Sequence, residues 1–457
     1  DDRAACARLG GDTRKQLALA EGREGRRTDG GLLLLLALAF LGGHPRVRGL
    51  ERAVGVSRVM AAGLPFVLLG FIMRHPAVKV LTDSVLDDLD PVLLLGLGWI
   101  GFVMGFRTDT RVFEEVTAGV KQLVLGRALA AGILIAGSTI GLLYFFGHVR
   151  PHSLTDPTLL RGGLVLGSVG MLISLSTPHL LAMRSGTPQA VGIVAQVVRI
   201  QEVVGLAGML FVSAYFRPQG NAVSWQIPGT AWLFITLGLG VTIGILVYTI
   251  LLRLSTNTAE SAVLILGSVS FAAGVASGLR LSPVTVCFVG GMVLANFPGP
   301  YKDRVRETLE RLERPIYLLF LIVVGAYLRV DDSVGWILMA AFVLARILGF
   351  AIGARLAFDA RDLPLERLGW LVLVVPPMGS LPIAVVISAK LLYPDGAISE
   401  LVTAVVGGAF SSEIIVQVAT RAFMPVSGAP AAAPPASEAV PAGEPALPAA
   451  PAQKEEK

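Results

Sequence analysis

Val197-Val198-Arg199-Ile200-Gln201-Glu202-Val203-Val204-Gly205 sits inside a run that is otherwise apolar from about Gln189 to Phe216. At about 1.5 Å of rise per helical residue, such a run crosses a hydrocarbon core of roughly 30 Å. A carboxylate and a guanidinium near its centre each cost roughly 2.5–3.5 kcal/mol on insertion scales. An acid one turn from a base at that depth is a functional-site hypothesis by default, because something must offset the cost.

The rest of the chain supports a membrane setting. Of its 457 residues, 54% are hydrophobic and only 16% charged, where a soluble chain carries nearer a quarter. Charge-free runs long enough to span recur at Gly162–Met183, Pro218–Leu252, Ser261–Leu279 and Leu368–Ala389. The alternating ten-residue segments of a membrane β-barrel are absent. Cys6 and Cys287 form neither a disulfide framework nor a CxxC metal pattern. The net charge of +5 needs no nucleic-acid partner, since basic loops facing the cytoplasm account for it.

We expect an all-α polytopic membrane protein of about 13 transmembrane helices, at approximately 31–43, 59–73, 91–106, 121–147, 162–183, 190–216, 230–252, 261–279, 283–297, 315–330, 333–354, 368–390 and 399–424. Residues 1–30 form a polar N-terminal extension, and 31–424 the transmembrane domain. Residues 425–457 form an Ala/Pro-rich tail that cannot bury a core and is expected to be disordered. Between two spans, Tyr301–Arg314 reads as a separate amphipathic helix with Val305, Leu309 and Leu312 on its apolar face. Arginines and lysines cluster in alternate loops, which places those loops and the C-terminus in the cytoplasm and the N-terminus outside. The seven basic residues up to Arg27 run against that orientation.

Two spans are broken. Ser174-Leu175-Ser176-Thr177-Pro178 interrupts the fifth, and Pro376-Pro377-Met378-Gly379-Ser380-Leu381-Pro382 the twelfth. Proline removes a backbone donor and clashes with the carbonyl four residues back. Unwound backbone at such depth is tolerated where it is buried in protein or lines a cavity. The breaks are seven spans apart, so they run in opposite directions, and each is followed by a span with an acid, Glu202 or Glu413. Interrupted helices at corresponding places in two inverted repeats point to the binding site of a secondary transporter.

Four further stretches, in their order along the chain, carry a family resemblance: Asp90–Asp109 (DPVLLLGLGWIGFVMGFRTD), Ser176-Thr177-Pro178, Gly278–Asn296 (GLRLSPVTVCFVGGMVLAN) and Leu319–Asp331 (LFLIVVGAYLRVD). Together they resemble the monovalent cation:proton antiporters, particularly the bacterial branch with the Kef-type potassium efflux systems. The resemblance implies crossed broken helices in a mobile core domain and a homodimer in the bacterial inner membrane. It makes Gln201-Glu202 the ion-binding dipeptide, with Glu202 taking either a proton or K⁺ or Na⁺ and Gln201 its neutral neighbour. Arg346 matches a basic residue the family often carries, whereas the arginine usual at the second break is replaced in Pro377-Met378-Gly379. A desolvated carboxylate favours its proton and a bound cation displaces it, so one site holds one or the other. Oxygens of Glu202, unwound backbone near Ser176 and Thr177, and waters would hold the cation. No resident cofactor is implied. No nucleotide-binding GxGxxG follows Met424, so a Kef-type gating domain in cis is not expected, and a separate regulatory subunit is compatible with the resemblance.

Arg199 departs from the family, which has an apolar residue there. Standing three residues before Glu202 on one helix face, it is placed for an ion pair that would occupy the oxygens a cation needs. Three outcomes follow: Arg199 releases Glu202 when the cation arrives; it locks a transport-inactive scaffold or sensor; or the arginines serve an anion or organic-acid transporter. Arg346 and Glu413 are the other charges able to compensate the site, Glu413 by pairing with Arg346 or Arg199. No Ser/His, two-aspartate or HExxH pattern in the spans argues for an enzyme.

Overall fold

The computed structural model describes residues 64–75, 78, 81, 83–108, 116–147, 156–174, 176–182, 187–217, 227–254, 258–328, 333–357, 363–365, 367–393 and 396–423. The N-terminal extension, the expected span at 31–43 and the tail lie outside them. Fifteen helices and no strand are present among the described residues. They are α1 (Leu64–Arg74), α2 (Asp83–Asp88), α3 (Asp90–Phe106), α4 (Ala118–Phe146), α5 (Pro157–Met171), α6 (Ser176–Ala182), α7 (Pro188–Tyr215), α8 (Gly229–Leu254), α9 (Thr258–Gly278), α10 (Pro283–Asn296), α11 (Lys302–Tyr327), α12 (Ser333–Leu356), α13 (Arg367–Val374), α14 (Ser380–Leu392) and α15 (Gly396–Phe423). Every expected span from 59–73 onward coincides with one of these helices, a part of one, or a broken pair.

Six of them, α4, α7, α8, α9, α12 and α15, are long and apolar enough to cross a bilayer. Their outer faces are greasy: Leu125, Leu129 and Ile133 of α4, Phe234 of α8, Phe271 of α9, and Leu344 and Leu348 of α12 are all exposed. An i, i+4 row such as Leu125–Leu129–Ile133 would be a liability in water and is the ordinary outer surface of a helix in lipid. The chain is a multi-pass membrane protein.

Two bundles share this membrane body. One holds α4 with α12, the broken pairs α5/α6 and α13/α14, and the enclosing helices α7 and α15. The other joins α3 to α10 and α1 to α11, with α8 and α9 packed on α10 and α3. The pairings show the inverted repeat: α1 plays in the first half the part α10 plays in the second, and α3 the part of α11. Small residues let these backbones touch. A Cβ on Gly105 would stand 2.0 Å from the Phe288 carbonyl oxygen, and one on Gly291 would stand 2.2 Å from that of Phe102. The bundles meet where α14 faces α3 and α10, and where α7 faces α8 and α10.

One boundary differs from expectation. The amphipathic stretch and the span after it form a single helix, α11, that runs through Pro315. Val305, Thr308 and Leu309 are buried along its charged half, and Arg311 pairs with Glu307 one turn back at 2.5 Å. A proline inside a helix costs one hydrogen bond and some bending without having to end the helix when the surrounding contacts hold.

Candidate functional site

Both broken spans are built alike. Helix α5 ends at Met171, Leu172–Ser174 leave helical geometry, and α6 starts at Ser176. Helix α13 ends at Val374, and α14 starts at Ser380 after Gly379. The first break therefore opens earlier than the Ser/Thr-Pro cluster suggested. Pro178 and Pro382 each stand third in their half-helix, in Ser176-Thr177-Pro178 and Ser380-Leu381-Pro382. A missing N–H there is harmless, because first-turn donors have no intrahelical acceptor. These prolines start half-helices; they do not make the breaks.

The two unwound segments touch. Ser174 N–H donates to the Pro377 carbonyl at 3.0 Å. Gly379 has φ +72°, and a Cβ on it would lie 2.7 Å from Ser174 Oγ. Glycine is required twice over at that crossing, for its backbone conformation and for its lack of a side chain. Thr177 is fully buried, and its hydroxyl donates to the Ser174 carbonyl at 2.6 Å.

Breaking two helices strands their last carbonyls in a low-dielectric interior, where each needs a donor. Arg346 of α12 supplies three. Its Nε donates to Gly170 O at 3.1 Å, and its terminal nitrogens donate to Leu172 O and Pro376 O at 2.9 Å each. Leu172 and Pro376 are equivalent in the repeat, each four residues before its half-helix begins. One cation thus caps the negative ends of both α5 and α13. Gln201 adds a fourth donor, its Nε2 to Met171 O at 2.9 Å.

Arg127 of α4 completes the set, and the sequence reading missed it. It is fully buried, donates to the Leu373 carbonyl at the end of α13, and shares the Phe350 ring with Arg346, the guanidinium carbons 4.6 and 5.0 Å from the centroid. The signal was available. Arg127 is a lone arginine within an apolar span, the same criterion that singled out Arg199.

Glu202 stands beside this crossing, 4% exposed, on the helix whose Gln201 caps α5 and whose Gly205 abuts Leu172. Among the described residues it has no hydrogen-bond or ion-pair partner. Gln201 is also buried, and its Oε1 has no hydrogen-bond partner. Two neighbouring side chains thus hold oxygen atoms that the protein leaves unused, which is rare in a closed interior. Arg199 is half-buried and makes no salt bridge with Glu202, although its charge and that of Arg107 reach the carboxylate.

Glu413 is not part of that arrangement. Helices α7 and α15 both have 28 residues, but Glu202 is the fifteenth of one and Glu413 the eighteenth of the other. Half-buried, Glu413 accepts from Gln417 Nε2 at 3.4 Å, and its charge reaches Tyr317 of α11. Arg346 is committed to carbonyls and, among the described residues, pairs with no carboxylate.

An all-α membrane body with an inverted repeat and two crossed, discontinuous helices is an architecture that recurs among secondary transporters. No protein-family model matches the chain, and no curated protein matches it. Among solved structures it is similar to the sodium proton antiporter MjNhaP1 from Methanocaldococcus jannaschii at pH 8, with a TM-score of 0.60 at 14% identity over 85% of this chain and 98% of that one. An electron-microscopy structure of the same antiporter gives a TM-score of 0.55 at 13% identity, covering 82% and 95%. The chain shares the overall fold of that sodium proton antiporter.

Proposed function

We propose that the chain exchanges a monovalent cation, K⁺ or Na⁺, for protons by alternating access, with Glu202 as the carboxylate both ions share. The observation that carries this reading is a buried Glu202 with no hydrogen-bond or salt-bridge partner among the described residues, next to the unused Oε1 of Gln201. An isolated charge in such a place is untenable, so the carboxylate holds either a proton or a cation. Glu202 and Gln201 together carry three side-chain oxygens that accept no hydrogen bond from a described protein group, and water would supply the rest of a hard cation's ligands. If only a loaded site crosses between the two sides, proton and cation move in opposite directions one for the other.

Two features favour this reading over its rivals. A locked scaffold needs an Arg199–Glu202 pair, and the two do not pair. An anion carrier needs a guanidinium to offer, and each of the three nitrogens of Arg346 already donates to a carbonyl. We place the exchanger in a bacterial inner membrane with its C-terminus in the cytoplasm, working as a homodimer, with the bundle around the crossing as the moving part.

The test is proton flux in proteoliposomes driven by K⁺, Na⁺ or Li⁺ gradients. Wild type should show cation-driven flux and Glu202→Gln none. Undiminished flux in Glu202→Gln would remove the residue from its role. No flux with any ion in wild type, but flux in Arg199→Leu, would restore the locked reading.

A further inference from the structure

Two serines and an arginine line a cavity that the exchange chemistry does not use. It holds about 210 Å³ and lies between the bundles, at the end of the membrane body where α7 and α14 finish and α10 begins. Ser277, Arg280 and Ser388 supply its polar lining, and Leu94, Leu281 and Leu391 its apolar wall. Ser388 and Leu391 belong to α14, in the bundle of the broken helices; the others belong to α3, α9 and the turn into α10.

Arg280 stands where glycine is usual. The turn after α9 is a Schellman cap: Arg280 N–H donates to Ser277 O at 2.9 Å and Leu281 N–H to Ala276 O at 2.8 Å, with Arg280 at φ +53°. A Cβ in that left-handed conformation crowds the backbone. The fold gains no bond in return: among the described residues the half-buried guanidinium makes no hydrogen bond and no ion pair. Its surroundings are positive. Arg217, just past α7, donates to Leu279 O at 2.7 Å and lies 3.3 Å over the Trp232 ring, which fixes a second guanidinium against the residue before Arg280. The N-terminus of α10, at Pro283, adds the positive end of a helix dipole. Among the described residues no acidic side chain lines the cavity.

We infer that this cavity binds a phosphate group, held by the guanidinium of Arg280 and the hydroxyls of Ser277 and Ser388. Guanidinium-to-phosphate hydrogen bonds are charge-assisted and often bidentate. Ser282 Oγ accepts from Thr285 N–H and lies 3.0 Å from Ser388 Oγ, so it can donate to Ser388 and leave the Ser388 hydrogen for the phosphate. The volume of about 210 Å³ is several times the roughly 30 Å³ that one water takes in the liquid, so the group fits with water around it. The apolar wall suits a phosphate carried by a lipid; free phosphate is the other source of the same chemistry. The occupant touches both bundles. Two contacts already join them here, Arg217 to Leu279 O and Ser282 to Ser388, and a bound phosphate adds a third. On the exchanger reading, in which the bundles move against each other, the occupant holds them together and slows turnover.

The experiment follows thermal unfolding of delipidated, detergent-solubilised protein by tryptophan fluorescence, titrated at matched ionic strength with short-chain phosphatidylglycerol, short-chain phosphatidylcholine or inorganic phosphate. Phosphatidylglycerol should raise Tm in wild type more than phosphatidylcholine, whose phosphate its own choline neutralises. Arg280→Gly should weaken that binding about tenfold or more. Glycine suits the cap, so Arg280→Gly alone should unfold no earlier than wild type, which separates lost binding from lost folding. Stabilisation by inorganic phosphate as well, lost in the same variant, supports the site with a free anion as its source. No stabilisation up to about 10 mM, equal stabilisation by phosphatidylcholine, or stabilisation undiminished in Arg280→Gly overturns the inference. If Arg280→Gly unfolds early, Arg280→Gln decides by the same binding criterion. In proteoliposomes, wild-type flux should be several-fold slower with phosphatidylglycerol than without, and Arg280→Gly flux the same in both. Binding without that difference overturns the hold on the bundles. A wild type with no cation-driven flux in either membrane removes the exchanger reading, and the titrations still decide the site.

Discussion

Arg346→Leu is the sharpest test of how the broken helices are held. The substitution removes all three donors to Gly170 O, Leu172 O and Pro376 O, at 3.1, 2.9 and 2.9 Å, from a side chain only 2% exposed. Charge-assisted hydrogen bonds are worth roughly 1.5–3 kcal/mol each, so about 5–9 kcal/mol is the upper bound. Water entering the vacated space recovers part of it, which leaves about 3–5 kcal/mol, the usual cost of stripping one partner from a buried charged network. In a protein of this size that is a fall in Tm of roughly 5–10 °C. Thermal unfolding of detergent-solubilised protein, followed by tryptophan fluorescence, measures it. Arg346→Lys keeps the charge but not the planar fork, and one ammonium cannot reach carbonyls on two separate breaks with the same geometry. It should fall between wild type and the leucine variant. Two results refute the reasoning: a leucine variant within a degree of wild type, or a lysine variant indistinguishable from wild type.

Gly379→Ala meets both a left-handed backbone and Ser174 Oγ at 2.7 Å, so it should destabilise by about 2 kcal/mol or more, read as lost Tm. Gly137→Ala, facing open space on α4, is the control and should match wild type. Gln201→Leu gives up one hydrogen bond but also an unpartnered buried oxygen, so stability should change by less than about 1 kcal/mol. Its KM for the cation should nevertheless rise several-fold in the flux assay; an unchanged KM would remove Gln201 from the ion's ligands.

Some of this architecture was legible because its causes are local. Apolar runs long enough to span announce helices whatever they pack against, and prolines within such runs announce trouble in the hydrogen-bond ladder. Hence the spans from 59–73 onward, the two breaks and their opposed directions were all readable. Reading the proline positions as the breaks themselves was only approximate. A proline in the first turn of a half-helix and a proline that unwinds a helix look the same in a sequence, and it takes the flanking carbonyls to tell them apart. Pro315 shows the same ambiguity from the other side, since α11 runs straight through it.

From the sequence alone came the membrane, the inverted repeat with its broken helices, and Gln201-Glu202 at mid-span as the chemically exposed pair. What only the tertiary structure decided is where each charge goes. A guanidinium reaches several ångströms, so proximity along one helix does not bind Arg199 to Glu202. The strongest claim on a buried arginine comes from groups that exist only after folding, namely the orphaned carbonyls at Gly170, Leu172, Leu373 and Pro376. Those carbonyls engage Arg346 through all three of its nitrogens and Arg127 through one, and Glu313 takes Arg107. Among the described residues Glu202 is left as a buried carboxylate without a hydrogen-bond or salt-bridge partner, which is the condition the proposed exchange requires.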